Sequence, residues 1–265
     1  MRVLASLLLL VAAVALALGC ARLAPPIVSS DGTADCVLLL HGLGRSAASM
    51  VPMADALRAE GYHVINAGYP STEYPIDTLA ARYVAPALRG GCRPAAYPER
   101  RIHVVTHSMG GILMRALAAQ DGLPDSPALP DNLGRVVMLA PPNQGSEVAE
   151  ALKGWWLFQR LNGPAGVALG TTNTTRDSAP LALGPVPFET GVIAGTRSLD
   201  PWFALLFDGP HDGKVAVARA RVEGMADFRT VAASHPFVMR HPDVIQEVLF
   251  FLEHGRFRPE TAAAS

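Results

Sequence analysis

The chain has 265 residues and a formal net charge of −1 at pH 7, from 22 lysines and arginines and 23 aspartates and glutamates. Half of its residues are hydrophobic and 17% are charged, so the composition suits one globular domain with a substantial core, and a second domain is not required. The near-neutral charge, with a sequence pI of about 6.7, gives no reason to expect a nucleic-acid partner.

The N-terminus has the pattern of an export signal. Met1 and Arg2 are followed by residues 3–18, a stretch without a charged side chain. A short basic start before an apolar stretch is typical of secretory signals. We therefore expect residues 1–19 to lie outside the folded domain. Residues 20–35 contain Pro, Ser and Gly and are predicted to form a linker.

Three ways of processing this signal are compatible with the sequence. Ala17-Leu18-Gly19-Cys20 resembles a bacterial lipoprotein signal, which implies that Cys20 becomes the lipidated N-terminus, although leucine usually stands where Ala17 does. Ordinary cleavage after Ala17 or Gly19 and retention of the segment as a membrane anchor are the alternatives. Each of them predicts export from a bacterial cytoplasm, to the periplasm or to a membrane surface.

The rest of the chain alternates predicted strands and helices, which is typical of the α/β class. The predicted strands are residues 36–41, 63–67, 102–106, 135–140, 191–195 and 229–233. The predicted helices are a segment ending near residue 60, residues 76–88, the segment after Ser108, residues 147–161 and residues 242–254. Continuous apolar strands indicate a mostly parallel sheet of about six strands with helices on both faces.

The predicted domain extends over residues 36–256, and residues 257–265 are predicted to be a disordered tail. We expect the strand order to reverse beside the strand that leads to Ser108, since ligands of such sheets bind where the order reverses.

Two cysteines besides Cys20 form an even pair, Cys36 and Cys92. An exported protein folds in an oxidising compartment, where disulfides form. Cys36 opens the first strand and Cys92 precedes the third, and in the predicted sheet these strands are neighbours entered from the same edge. The two residues therefore form a disulfide or remain buried free thiols.

The connection between the fourth and fifth strands is about fifty residues long, far longer than an ordinary crossover. We expect an insert at residues 147–187. Its helical part contains Trp155, Trp156 and Phe158, which we take as candidate substrate-binding residues. A helix that packs its aromatic side chains on the sheet and a lid or acyl-binding wall over the site are both compatible with this pattern.

Thr106-His107-Ser108-Met109-Gly110 lies where the third strand should turn sharply into a helix. Such a turn lifts a serine Oγ above the sheet edge, beside the N–H groups that open the helix. The segment matches the G-x-S-x-G nucleophile elbow at the serine and the second glycine, with Thr106 in place of the first. A serine that only caps and packs the helix is the alternative. We assign no chemistry to His107.

A serine nucleophile needs a base and a group that orients the base. His235 follows directly on the sixth predicted strand, where a loop could deliver its imidazole to Ser108. Asp200, Asp208 and Asp212 all lie between serine and histidine in chain order. We prefer Asp212, because the glycine that follows it permits a tight turn that would hold its carboxylate.

An oxyanion also needs donors, and His41-Gly42-Leu43-Gly44 follows the first strand. Glycines there let backbone N–H groups approach a ligand. We predict the N–H groups of Leu43 and Met109 as the donors, with His41 shaping the loop. An ordinary glycine turn is the alternative.

These motifs in this order resemble the α/β-hydrolase superfamily, and most nearly its bacterial lipases and esterases. The segments that carry the resemblance are Leu38–Arg45, Thr106–Gly111, Asp212–Val215 and Ser234-His235. In those lipases an aspartate of a D-G-x-V turn serves as the triad acid shortly before the histidine. The resemblance implies an α/β-hydrolase fold and a serine hydrolase that cleaves carboxylic esters, as an esterase or lipase, through an acyl-enzyme.

The expected partners are an ester or lipid substrate and a membrane reached through the N-terminal segment. No cofactor and no metal is expected, because the sequence has no acidic pair that matches the calcium site of some of these lipases. An acyltransferase with the same triad and a non-catalytic, membrane-tethered binding protein on the same scaffold are the alternatives. Acyl length, the alcohol part and the oligomeric state stay open.

Overall fold

The computed structural model describes residues 35–92, 100–120, 129–172 and 180–259. The predicted export signal, Cys20 and all but the last residue of the predicted linker lie outside these ranges. Among the described helices, none has the length and apolar character that a membrane crossing requires.

Six strands within the described ranges form one parallel sheet in the order β2-β1-β3-β4-β5-β6. They are β1 (Cys36–Leu40), β2 (His63–Ala67), β3 (Ile102–His107), β4 (Leu133–Leu139), β5 (Thr190–Gly195) and β6 (Asp227–Val231). The chain leaves β1 to one side for β2 and returns to its other side for β3. The predicted α/β-hydrolase sheet is therefore confirmed, and its order reverses between β1 and β3, where a crevice forms at the strand ends.

Seven α-helices lie in the described ranges: α1 (Val51–Ala59), α2 (Ile76–Leu79), α3 (Met109–Gln120), α4 (Glu147–Leu152), α5 (Trp156–Ala168), α6 (Val217–Ala220) and α7 (Pro242–His254). Short 3-10 segments add Ala47–Met50, Pro180–Leu183, Pro201–Leu206 and His235–Arg240. We call the last of these the 235–240 turn. The predicted helix at 76–88 is one α-turn, α2, continued by π-helical turns at Ala80–Val84 and Ala87–Gly91.

Both faces of the sheet are covered, because alternate residues of each strand point to opposite sides. Leu38 and Leu40 of β1 lie in one buried cluster with apolar residues of α3. Val37 and Leu39 lie in a second buried cluster with residues of α1 and α7. All four side chains have no exposed surface, and burial of such a side chain is worth about 2 kcal/mol. Burial thus holds the helices on either side of β1, the strand that precedes residues 41–44. We call these residues the predicted oxyanion loop.

The structure differs from the sequence prediction at the last strand. β6 is Asp227–Val231, two residues earlier than the predicted 229–233. It is an edge strand whose residues are half-buried or exposed, so its sequence carries little apolar pattern. The packed domain also continues past residue 256, because Phe257 is buried against Phe251, with ring centres 5.0 Å apart.

The insert contains two helices rather than the single predicted one at 147–161. α4 ends at Leu152, and α5 begins only at Trp156. Ser146 caps α4 by accepting a hydrogen bond from the Ala149 N–H. The break between the two helices changes which side chains of the insert face the sheet.

Cys36 and Cys92 form a disulfide, with their Cα atoms 5.6 Å apart. Both residues are buried. The sequence left a disulfide and two buried free thiols as alternatives, and the structure has the disulfide. The bond ties the start of β1 to the end of the π-helical segment that follows β2.

We predict that removal of this disulfide lowers the free energy of unfolding by about 4 kcal/mol, because it closes a loop with a sequence separation of 56 residues. The measurement is urea unfolding of the double variant Cys36→Ala/Cys92→Ala, followed by circular dichroism. Reduction of the native protein with dithiothreitol should give a similar loss, and the double variant should not respond to it. Equal unfolding midpoints for native, reduced and variant protein would contradict the prediction.

Candidate active site

Ser108 is the one residue between β3, which ends at His107, and α3, which begins at Met109. Its φ is 52°, in the left-handed region that residues other than glycine rarely adopt. Its N–H donates to the Leu139 carbonyl oxygen at 2.8 Å, and its own carbonyl accepts from the Gly111 N–H at 3.0 Å. The predicted strand, sharp turn and helix are therefore present at this serine.

Close packing around the turn depends on two glycines. A Cβ at Gly110 would lie 2.7 Å from the Leu40 carbonyl oxygen, and a Cβ at Gly42 would lie 2.8 Å from Nδ1 of His107. Both distances are shorter than ordinary contacts. Thr106, which replaces the first glycine of the elbow motif, is fully buried. Its side chain is accommodated within the packing beneath the turn, so the departure from the motif does not prevent the turn.

Ser108, His235 and Asp212 form a chain of hydrogen bonds. Oγ of Ser108 lies 3.0 Å from Nε2 of His235, and Nδ1 of His235 lies 2.7 Å from Oδ2 of Asp212. The other carboxylate oxygen of Asp212 accepts from the backbone N–H groups of Lys214 and Val215, at 3.0 and 2.9 Å. Asp212 is only 2% exposed. This is the geometry that a Ser-His-Asp triad requires.

The two other candidate acids lie elsewhere. Asp200 is half-buried and forms a salt bridge with Nζ of Lys214 at 3.0 Å, and Asp208 is exposed. Only Asp212 of the three bonds to His235. The glycine turn that favoured Asp212 from sequence is also the turn that presents two N–H groups to its carboxylate.

The predicted oxyanion donors lie on either side of the serine. Leu43 lines the same cavity as Ser108, and Met109 opens α3. Within the described parts of the chain, neither the Leu43 N–H nor the Met109 N–H donates a hydrogen bond. The loop that carries Leu43 is held on its far side, where the Gly44 N–H donates to Oγ of Ser71 at 3.0 Å. Both N–H groups therefore have no acceptor among the described residues, and their role as oxyanion donors stays a prediction.

His41 shapes the predicted oxyanion loop as a buried, neutral imidazole. Its ring stacks on Tyr69, with ring centres 3.9 Å apart. Its Nδ1–H donates to the Gly42 carbonyl at 2.9 Å, and its Nε2 accepts from the Tyr69 N–H at 3.4 Å. The Tyr69 hydroxyl in turn donates to the His41 carbonyl. Burial lowers the pKa of His41 to about 4, so it carries no charge at neutral pH.

His107, to which the sequence analysis assigned no chemistry, holds the backbone of His235. Its Nε2–H donates to the His235 carbonyl oxygen at 3.0 Å. Burial, and then the charge of His235, lower the pKa of His107 well below its ordinary value. His107 therefore holds the loop that carries His235 by a hydrogen bond from a neutral ring, and it adds no charge next to Ser108.

A cavity of about 340 Å³ opens beside Ser108 and His235. Its apolar wall comes mainly from the insert, through Val148, Ala149, Leu152, Phe158 and Leu169. The insert therefore forms an apolar cavity wall that includes Phe158, but the two other predicted aromatic residues are not part of it. Trp155 and Trp156 are 64% and 76% exposed, because the break between α4 and α5 turns them away from the cavity.

Two cavity residues were not predicted from the sequence, because the motifs that contain them do not specify the side chain at these positions. Lys214 lines the cavity, forms the salt bridge with Asp200 and lies 4.7 Å from the centre of the Phe203 ring. Arg45, the residue after the predicted oxyanion loop, also lines the cavity. The position of each within a predicted site motif was the only sequence signal for it.

Arg115 is a third residue that sequence reasoning missed. It lies buried in α3 and donates to the carbonyl oxygens of Asn143, Pro180 and Gly184, at 2.8, 2.8 and 2.9 Å. Burial lowers its pKa to about 10, so it stays charged at neutral pH. The sequence signal for it was a single arginine in the largely apolar helix after Ser108, because a buried cation needs hydrogen-bond partners.

A sequence model described as the α/β hydrolase fold matches residues 35–172, more than half of the chain. The chain belongs to the α/β hydrolase family. No curated protein matches it. Within the described residues of this hydrolase, no group of three or more His, Cys, Asp or Glu side chains is placed to hold a metal ion.

Solved structures share the fold of this hydrolase at low sequence identity. The propeptide form of the lipase BlEst2 from Bacillus licheniformis has a TM-score of 0.62 and 20% identity, over 91% of this chain and 55% of the lipase. Phospholipase PlaB from Legionella pneumophila has a TM-score of 0.61 and 16% identity, over 85% of this chain and 60% of PlaB. An esterase from Thermogutta terrifontis has a TM-score of 0.54 and 15% identity, over 87% of this chain and 93% of the esterase. The chain thus spans about half the length of the lipase precursor.

We predict that Gly42→Ala lowers the free energy of unfolding by about 1–3 kcal/mol, because the added methyl group overpacks the contact with His107 and Ser108. Gly154→Ala is the matched control, since a Cβ there would meet nothing within 4 Å. The measurement is urea unfolding of both variants and the native protein. An equal effect of the two substitutions would contradict the packing argument.

We also predict that the protein loses stability as the pH falls below 6.5. The unfolded chain binds a proton at His41 with a pKa of 6.5 and the folded chain only at about 4, so the folded state is favoured above pH 6.5 and loses that advantage as the pH approaches 4. The full difference is about 3 kcal/mol.

The free energy of unfolding should therefore decrease between pH 7 and pH 5, measured by urea unfolding at each pH. His41→Gln should lower the free energy of unfolding at pH 7, but this free energy should then decrease less between pH 7 and pH 5. An equal decrease in the variant and in the native protein would show that His41 does not cause the pH dependence.

Proposed function

We propose that this protein hydrolyses carboxylic esters, as an esterase or lipase, through an acyl-enzyme on Ser108. The observation that carries the proposal is the hydrogen-bonded chain from Ser108 through His235 to Asp212, with distances of 3.0 and 2.7 Å, at the mouth of a cavity with an apolar wall. Solved structures with the same fold include proteins named as a lipase, a phospholipase and an esterase, which supports an ester as the substrate class.

Ser108 Oγ attacks the ester carbonyl carbon while Nε2 of His235 takes its proton. The carbonyl oxygen becomes an oxyanion that accepts from the N–H groups of Leu43 and Met109. His235 then gives the proton to the departing alcohol, and the acyl group stays on Ser108. Water, activated by His235, releases the acid and restores the serine.

His235 is suited to this work because three contacts fix its orientation. Nδ1–H donates to Asp212, its backbone N–H donates to the Asp212 carbonyl at 3.0 Å, and its own carbonyl accepts from His107. The ring is therefore held with Nε2 towards Ser108 in both the neutral and the protonated state. Asp212 stabilises the imidazolium without taking the proton.

The acyl part of the ester lies against α4 and α5 in this proposal. Val148 and Leu152 of α4 and Phe158 of α5 supply an apolar surface for it. Polar side chains on this part of the lining are few, with Ser146 and Asn162 among them. An acyl chain gains free energy from burial there, at about 0.8 kcal/mol for each CH₂ group.

We further propose that the enzyme acts outside the cytoplasm, released into the periplasm or tethered to a membrane. The proposal rests on the apolar stretch at residues 3–18 and on the lipoprotein-like position of Cys20. The disulfide between Cys36 and Cys92 suits an oxidising compartment. Mass spectrometry of the N-terminal peptide from the native host tests it, since a diacylated Cys20, a cleaved free N-terminus and an intact Met1 have different masses.

We predict that Ser108→Ala and His235→Ala lower kcat by at least ~10⁴ and that Asp212→Asn lowers it somewhat less. The assay is hydrolysis of p-nitrophenyl esters from acetate to palmitate. Asp200→Asn is the matched control, since this carboxylate pairs with Lys214 rather than with His235, and it should keep kcat within about threefold of the native value. A dead Asp200→Asn beside an active Asp212→Asn would overturn the assignment of the acid.

The same assay separates the alternatives. A Ser108-dependent peak at long chains makes the enzyme a lipase, and a peak at acetate or butyrate makes it an esterase. Formation of a new ester when an alcohol acceptor is added identifies an acyltransferase. Activity no higher than that of Ser108→Ala on every ester favours a specialised acyltransferase or a binding protein.

A further inference from the structure

One arginine, Arg45, lines the cavity on its His235 side, and a second, Arg240, stands in the turn that carries His235. Arg45 lines the cavity, and its Nη2 donates to the carbonyl oxygen of Pro236 at 3.3 Å. Arg240 ends the 235–240 turn, with its guanidinium 5.1 Å from the centre of the Phe237 ring. The two cations therefore flank the turn that carries His235, one at its start and one at its end.

Neither charge is neutralised within the described residues. No salt bridge involves Arg45 or Arg240 there, and no Asp or Glu is among the residues that line the cavity. Lys214, the other cation of the lining, is already paired with Asp200. Burial and the nearby charge of Arg240 both lower the pKa of Arg45, so the two guanidiniums repel each other. A bound anion would remove this repulsion.

The position of the two arginines relative to the proposed reaction is informative. His235 gives its proton to the departing alcohol, so the alcohol part must lie beside His235. Pro236, which binds Arg45, is the next residue, and Arg45 is also two positions after the proposed oxyanion donor Leu43. The apolar wall of the insert is formed by other elements, α4 and α5, and takes the acyl part. Arg45, the unpaired cation of the cavity lining, thus lies on the side where the alcohol part would bind. Arg240 stands in the 235–240 turn and is near enough to lower the pKa of Arg45.

We infer that Arg45 and Arg240 bind a negatively charged group on the alcohol part of the substrate, so that the preferred esters are those of phosphorylated or carboxylated alcohols. The inference rests on the proposed function. A guanidinium suits this task because its planar donor fork matches the oxygens of phosphate and carboxylate, and it stays charged at any physiological pH.

The test compares two esters that differ only in this charge, a 1-acylglycerol and the corresponding 1-acylglycerol 3-phosphate. The native enzyme should show a higher kcat/KM on the phosphate ester. Arg45→Gln and Arg240→Gln should each lower the ratio of the two kcat/KM values by about tenfold, chiefly through KM of the phosphate ester. Arg45→Lys should lower the ratio less than Arg45→Gln does, because lysine keeps the charge but lacks the planar donor fork. The ratio should also fall with added salt.

Arg256→Gln is the matched control. Arg256 is exposed and follows α7 at the opposite edge of the sheet, so its loss should leave the ratio unchanged. An unchanged ratio in Arg45→Gln and Arg240→Gln, or an equal drop in Arg256→Gln, overturns the inference while ester hydrolysis stands. Inhibition of 1-acylglycerol hydrolysis by glycerol 3-phosphate but not by inorganic phosphate supports the bound alcohol as the source of the anion. Stronger inhibition by inorganic phosphate assigns the pair to a free anion and overturns the inference.

A binding measurement separates this inference from the proposed function. Calorimetry with Ser108→Ala measures the affinity for the 1-acylglycerol 3-phosphate without turnover. Weaker binding when Arg45→Gln is added, and unchanged binding when Arg256→Gln is added, support the anion site even if no ester is hydrolysed. Equal affinity in all three proteins overturns it.

Discussion

The left-handed backbone of Ser108 is the constraint on which the rest of the site depends. It places Oγ above the sheet edge only because β1, β3 and β4 all end at the same level. The Ser108 N–H bonds to the last residue of β4, Leu139, and Gly110 packs on the last residue of β1, Leu40. A backbone of this kind costs about 1–3 kcal/mol, and the burial of both sheet faces offsets that cost. The backbone geometry at Ser108 therefore depends on the register of these three strands.

Much of the fold could be predicted because buried elements carry their own sequence signal. A continuous apolar run marks β1, and Pro242 and Gly255 mark the two ends of α7, so these bounds agree with the structure to within one residue. β6 is an edge strand with Asp227 and Arg229 on it, and an apolar pattern cannot locate such a strand. The insert is harder for another reason. A prediction of which side chains face the sheet assumes one uninterrupted helix. The break after Leu152 changes the direction in which every later side chain points.

The same division applies to the site. Ser108, Asp212 and His235 could be named because each stands in a short turn whose chemistry is local. The side chain of Arg45 binds a carbonyl 191 positions away, and no pattern in the neighbouring sequence reports such a partner. His107 is an intermediate case, since its place next to the serine was visible but its bond to His235 was not. Local motifs thus identify the reacting groups, and long-range contacts determine how those groups are held and what surrounds them.

The bonds of Arg115 have a consequence for how such an enzyme can diversify. Arg115 projects from the helix that follows the nucleophile, and it holds a carbonyl before the insert, at Asn143, and two after it, at Pro180 and Gly184. Both ends of the connection between β4 and β5 are therefore bonded to one side chain of α3, so the sequence of α4 and α5 can vary without loss of these two attachments. Under the proposed function, replacing residues 148–168 as a block would change which acyl groups fit, while Ser108, His235 and Asp212 stay in place. Such an exchange must preserve the buried guanidinium and its three carbonyl partners, and also the Glu147 carboxylate, which accepts from Arg219 and from the Ala216 N–H.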